Sequence, residues 1–203
     1  MSRRDGHPVE DPSIDAEEAA CRLLLHWQAA AAGSQEGAKA DLPALPSLAG
    51  VIADGPQLEA AREWLVGREA ALFLAIDGPF DARATCDGAV VGHDADPDAI
   101  RRRLGAACIL GARCGTSRHA AMVAGERGAD YILFGHEDGA ANVEEIVEIL
   151  RWWRDLFVLP AAVVGIRSIE DARAFRGEGA DFLLPARGQA SSLILAIDRM
   201  LAA

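Results

Sequence analysis

The sequence has no apolar run that reaches the ~18 residues needed for a membrane-spanning helix, so no such segment is predicted. Aromatic residues are scarce, 5% of 203, although 51% of the chain is hydrophobic. The apolar excess is Ala, Leu, Val and Ile, a composition suited to helices layered on strands. Positive charge is in deficit: 20 Lys and Arg against 31 Asp and Glu leave a formal charge of −11. Such a surface repels phosphate backbones and anionic lipid headgroups, so neither nucleic acid nor membrane is expected as a partner. Cys21, Cys86, Cys108 and Cys114 show no CxxC spacing, and a chain of this length does not need disulfide staples. They read as reduced thiols rather than zinc ligands. The polar, Pro-containing sequence after Arg3-Arg4 differs from a signal-peptide core, and together these features predict a cytoplasmic protein.

What is present is an alternation. Residues 1–18 are charged and broken by Gly and Pro, and they predict a disordered tail before a single domain at 19–203. Beyond the tail, short apolar runs of strand length alternate with longer amphipathic stretches. Strands are predicted at Arg22–His26, Ala49–Ala53, Ala71–Ile76, Gly88–Val91, Cys108–Gly111, Tyr131–Phe134, Ala161–Gly165 and Phe182–Leu184. Helices are predicted at Gln57–Val66, Pro97–Leu104, Ser117–Glu126, Val143–Leu156, Ile169–Arg176 and Ala190–Leu201, with weaker patterns at 35–45 and in the PFDARA stretch. A motif recurs before three strands, as CDGAVV, GADYILF and GADFLL. Its Gly can end a helix, and its Asp can satisfy local backbone donors as the chain turns into the strand. Eight βα units favour an α/β fold closed as a (β/α)₈ barrel of the TIM type, because closure leaves no strand edge exposed. An open doubly wound sheet is the alternative.

In such a barrel the loops after the strands form the active face. That rule selects Asp77, then His93, Asp94 and Asp96, then Arg113 and Cys114, then His136, Glu137 and Asp138. It also selects Gly165, Arg167 and Ser168 after strand seven and Arg187 and Gly188 after strand eight. Asp77 with Asp94 or Asp96 offers hard oxygen donors of the kind that hold Mg²⁺ beside a diphosphate; Asp96 before Pro97 equally fits a helix cap. Gly165 and Gly188 lie where barrels often bind phosphate, and they equally fit tight turns. His136 could move a proton near neutral pH, with Glu137 and Asp138 close by. Cys114 has no base partner placed beside it by the sequence. Trp152 and Trp153 read as packing residues or an oligomer contact.

The order LFLAIDGPFDARATCDGAVVGHD, ILGARCGTSRHAAMVAGERGADYILFG and LRWWRDLFVLPAAVVGIRSIEDARAFRGEGADFLLPARG resembles the thiamine phosphate synthase family over residues 70–203. The resemblance implies a barrel that joins hydroxymethylpyrimidine diphosphate to a thiazole phosphate and releases diphosphate with the help of Mg²⁺. It aligns Asp77 with the aspartate of the family's Asn-Asp-Arg motif, with Ile76 and Gly78 in place of its neighbours. The family's Gly-Gln-Glu-Asp becomes GHDA, so Asp94 or a shifted Asp96 must supply the second metal carboxylate. Val51–Asp54 carries no Arg where the family has Gln-x-Arg, and Arg113 stands where the family has Ser. HEDGAAN replaces a Thr-rich, Lys-containing phosphate loop, Val164 replaces the first glycine of a Gly-Gly pair, and Pro185-Ala186-Arg187 replaces a polar loop.

Three functions follow from these residues. The first is a working or weakened synthase with Arg113, Arg167 and Arg187 offsetting the substrate phosphates. The second comes from the thiazole tautomerases of the same fold, which carry Phe-Gly-His after strand six, matched here by Phe134, Gly135 and His136. The third is a barrel that no longer catalyses and binds a small phosphorylated ligand or a partner. A homo-oligomer is compatible with all three.

Overall fold

The computed structural model of the chain describes residues 20–27, 42–77 and 85–203. Eight parallel strands close in sequence order: β1 (Arg22–His26), β2 (Leu48–Ala53), β3 (Ala71–Ile76), β4 (Gly88–Gly92), β5 (Ile109–Gly115), β6 (Tyr131–Gly135), β7 (Ala161–Ile166) and β8 (Phe182–Pro185). Pairing of Arg22 with Phe182 and Leu23 with Leu183 seals the ring. The described helices are α1 (Leu58–Leu65), α2 (Pro97–Leu104), α3 (Arg118–Glu126), α4 (Val143–Leu156), α5 (Ile169–Gly177) and α6 (Ser191–Leu201). The chain is therefore a TIM barrel, and the open sheet is excluded. No helix among the described residues is long and apolar enough to cross a membrane. The expected tail, the PFDARA stretch and most of the pattern at 35–45 lie outside the described residues; residues 42–45 are not helical, and Leu42 and Leu45 are buried.

Strand side chains alternate between two cores, as the two-residue period of a strand requires. Leu23, Leu25, Val51, Leu72, Leu74, Leu110, Ile132, Phe134 and Val163 face outward and pack with the helices. Leu24, Ile52, Phe73, Val90, Tyr131, Leu133, Val164 and Leu184 fill the barrel interior. Phe73 and Tyr131 meet edge to face at 6.0 Å, and a glycine in register on the adjacent strand makes room for each. A β-carbon on Gly88 would lie 2.7 Å from the Phe73 ring, and one on Gly111 would lie 2.3 Å from Cζ of Tyr131. Burial of the Tyr131 phenol holds its pKa well above the usual tyrosine value.

The recurring aspartate does more than close its own turn. Leu72 N–H donates to Asp87 at 2.8 Å, Leu110 N–H to Asp130 at 2.7 Å and Ala161 N–H to Asp181 at 2.7 Å. The backbone N–H groups of Asp87, Asp130 and Asp181 donate in return to the carbonyls of Leu72, Leu110 and Ala161. Each donor satisfied by the carboxylate thus belongs to the preceding strand, so the motif ties β3 to β4, β5 to β6 and β7 to β8. Local turn geometry, the sequence-based expectation, accounts for only part of its role.

Candidate active site

Strand five sets the site differently from expectation. It starts one residue later than predicted and runs on to Gly115 instead of stopping at Gly111, with a register irregularity against β6 between Arg113 and Gly115. Arg113 and Cys114 are therefore strand residues, not loop residues. The apolar pattern breaks at Arg113 because this inward position belongs to the polar layer at the barrel mouth. Inward positions continue past the apolar interior in the same phase: His26 follows Leu24, Asp54 follows Ile52, Asp77 follows Ala75, and Glu137 follows Gly135.

These residues form one charged network. Arg113 pairs through Nη1 with Asp77, donates through Nη2 to the Val90 carbonyl at 3.1 Å, and places Nε 3.6 Å from Glu137 Oε1. Arg187 pairs through Nε with the other Glu137 oxygen and lies 3.9 Å from Asp54. His26, 1% exposed, places Nε2 3.8 Å from Glu137 Oε1. Glu137 is thus the hub, and three carboxylates face two guanidiniums. Its backbone is held as well, because Arg187 N–H donates to the Glu137 carbonyl at 2.9 Å.

The turn carrying Glu137 sits on strand seven. Gly165 has φ +88°, and a β-carbon there would lie 1.9 Å from the His136 carbonyl oxygen and 2.9 Å from Gly139 Cα. Gly165 is therefore glycine because two backbones touch, whatever its relation to phosphate. Arg167 is exposed and runs its aliphatic stem along Gly139, outside the network. Ser168 accepts from Asp171 N–H at 3.0 Å and caps α5. Gly188 has φ +78°, and a β-carbon there would meet nothing within 4 Å. His136 is exposed and lies against Gly115, with a β-carbon on that glycine 3.1 Å from its Cε1. The two nearby acids are committed elsewhere, Glu137 to the arginines and Asp138 to Ala140 N–H at 3.0 Å.

The three predicted metal ligands separate. Asp77 lies at Arg113. Asp94 folds back over Gly92, where a β-carbon would be 2.8 Å from its Oδ1, and Gly92 pairs in register with Arg113. Asp96 instead accepts from Ala99 N–H at 3.2 Å and caps α2. Among the described residues no group of three or more His, Cys, Asp or Glu gathers as a metal cage. Mg²⁺ needs only one or two carboxylates when phosphate and water complete its shell, and of the three predicted ligands Asp96 is the one engaged as a helix cap. Cys114 is buried, which pushes its thiol up to about 12 and leaves it a packing residue.

The sequence signal that locates Glu137 is its phase with the inward positions of β6, a signal weaker than the motif match that drew attention to His136. The same phase places His26 at the mouth.

A barrel whose mouth presents arginines at the ends of β5 and β8 belongs to a fold used for many chemistries, and comparison with known proteins narrows the class. The sequence profile described as thiamine monophosphate synthase matches residues 57–184, and the chain belongs to that family. A thiamine-phosphate synthase of Rhodospirillum centenum is 39% identical over 131 residues, covering 62% of this chain and 63% of the relative. One of Erythrobacter litoralis is 35% identical over 108 residues, covering 50% of this chain and 51% of the relative. The match thus spans less than two thirds of either relative. Among solved structures, thiamine phosphate pyrophosphorylase from Pyrococcus furiosus superposes with a TM-score of 0.65 at 16% identity, covering 92% of this chain and 99% of that one. That likeness concerns the fold.

Proposed function

We propose that this protein is a weakened thiamine phosphate synthase. It binds hydroxymethylpyrimidine diphosphate and a thiazole phosphate at the barrel mouth and joins them slowly. Family membership supports the substrate class, and the placement of Glu137 between Arg113 and Arg187 supports the slow rate. A diphosphate and a phosphate monoester bring several negative charges, which a productive site must offset with cations and backbone donors aimed at the leaving group. Here both mouth arginines already face carboxylates of the chain itself. On this reading Arg113 and Arg187 receive the anionic groups, and Asp77 and Asp94 hold Mg²⁺. When bound, the ion neutralises charge on the departing diphosphate. The four free cysteines accord with work in a reducing cytoplasm.

Calorimetry with each substrate and Mg²⁺, followed by a turnover assay, tests the proposal. Binding of both substrates is expected, with turnover far below the ordinary range of roughly 1–10³ s⁻¹. Failure of either to bind would overturn the substrate assignment, and turnover within that range would overturn the claim of a weakened site.

A further inference from the structure

We propose that Glu137 is a built-in competitor for a phosphate-binding clamp formed by Arg113 and Arg187. Its carboxylate occupies the position that the phosphoryl group of a ligand takes when it binds. This deepens the synthase reading and rests on it for the identity of the natural ligand, but the clamp itself is defined by charge and geometry. Three observations carry it.

First, the two arginines come from strands on different sides of the ring, β5 and the end of β8, and converge on the two oxygens of a single carboxylate. Arg187 bonds the carboxylate through Nε, and Arg113, whose Nη atoms are on Asp77 and the Val90 carbonyl, faces it through Nε at 3.6 Å, so two fixed positive charges flank one small anion as they do where phosphate is recognised. Second, the competing group is a side chain on a fixed backbone. The Glu137 carbonyl is held by Arg187 N–H, the Gly139 N–H donates to the His136 carbonyl at 2.8 Å, and the turn is pressed onto Gly165. Release therefore needs only rotation of the Glu137 side chain, with no loop opening. Third, Glu137 keeps 26% of its side-chain surface exposed, so the carboxylate can swing into solvent without burying a charge.

A tethered carboxylate competes at an effective concentration on the order of millimolar or higher. If it fills the clamp about nine-tenths of the time, the apparent affinity for an incoming anion falls roughly tenfold. The competitor also selects ligands. A weak monoanion such as acetate only exchanges like for like, whereas a phosphate monoester brings more charge and a third oxygen.

Titration calorimetry with inorganic phosphate tests this. Glu137→Gln keeps the backbone bonds and removes the charge, and it is expected to bind phosphate at least tenfold more tightly than the unaltered chain. Glu137→Ala should do the same, and either result alone suffices if the other variant folds poorly. Adding Arg113→Gln or Arg187→Gln to Glu137→Gln should abolish the gain. Asp155→Asn removes one negative charge from the far end of α4, where Asp155 lies 3.6 Å from Arg154, and should leave phosphate affinity within twofold. A crystal structure with phosphate should show the Glu137 side chain rotated on an unmoved backbone. Phosphate affinity that is unchanged in both Glu137 variants would overturn the proposal. A gain matched by Asp155→Asn would overturn it too, reducing the effect to overall charge. Such a failure is distinct from failure of the synthase reading, which is decided by binding of the two organic substrates.

Discussion

Replacing Gly165 by alanine tests whether this glycine is dictated by backbone contact. At φ +88° a residue with a β-carbon pays roughly 1–2 kcal/mol for left-handed backbone geometry. The new methyl would also overlap the His136 carbonyl oxygen at 1.9 Å and press on Gly139 Cα at 2.9 Å. Both neighbours are backbone and cannot rotate away, so the turn must shift at a further cost of about 1–3 kcal/mol, typical of overpacking. The total is about 2–5 kcal/mol, and in a domain of this size each kcal/mol lowers Tm by about 2–4 °C. Scanning calorimetry should therefore show Tm falling by about 4–20 °C, with loss of folded protein as the extreme. Gly188→Ala serves as the internal comparison. Its φ is +78° but nothing lies within 4 Å of the added carbon, so only the backbone cost applies, about 2–8 °C. Equal shifts for the two variants, or a smaller shift for Gly165→Ala, would refute the contact argument.

Two further outcomes follow. Asp181→Ala leaves the Ala161 N–H without its 2.7 Å acceptor and should cost about 1–3 kcal/mol in urea unfolding, with Asp87→Ala and Asp130→Ala adding nearly independently if distant sites do not couple; a change below about 0.5 kcal/mol for all three would remove the proposed strand tie. Burial raises Cys21 and Cys114 to about 12 and Cys108 to about 11, so at pH 8 these thiols remain protonated and should react with iodoacetamide far more slowly than free cysteine; rapid labelling of Cys114 in the folded protein would contradict its assignment to packing.

The fold was legible because apolar runs and helical periodicity agreed at nearly every element. All eight predicted strands form, seven of them within one residue of their predicted bounds, and α2 and α4 keep their predicted boundaries. Strand five was misplaced because apolarity ends at Arg113 while strand geometry does not. A charged side chain that points inward at a barrel mouth looks, in one dimension, like the start of a loop. The site was less legible for a related reason. Glu137 could be read from sequence as a negative charge hostile to anions, but its pairing with Arg113 and Arg187 joins residues 24 and 50 positions apart, which no local pattern reports. Asp96 was ambiguous between ligand and cap, and the 3.2 Å bond from Ala99 N–H identifies the cap.

The three aspartate ties have a consequence for how the chain can be divided. Each spans one odd-numbered strand and the even-numbered strand after it, from Leu72 to Asp87, Leu110 to Asp130 and Ala161 to Asp181. These ties group β3 with β4, β5 with β6 and β7 with β8, while the Arg113 guanidinium reaches from β5 to the Val90 carbonyl of β4. A chain cut between β4 and β5 or between β6 and β7 leaves the partners of every tie on one continuous segment, whereas a cut within a pair leaves its tie to hold two separate segments together. New termini made by circular permutation should accordingly be accepted between the pairs and resisted inside them, and fragments meant to reassemble should be cut at the same places.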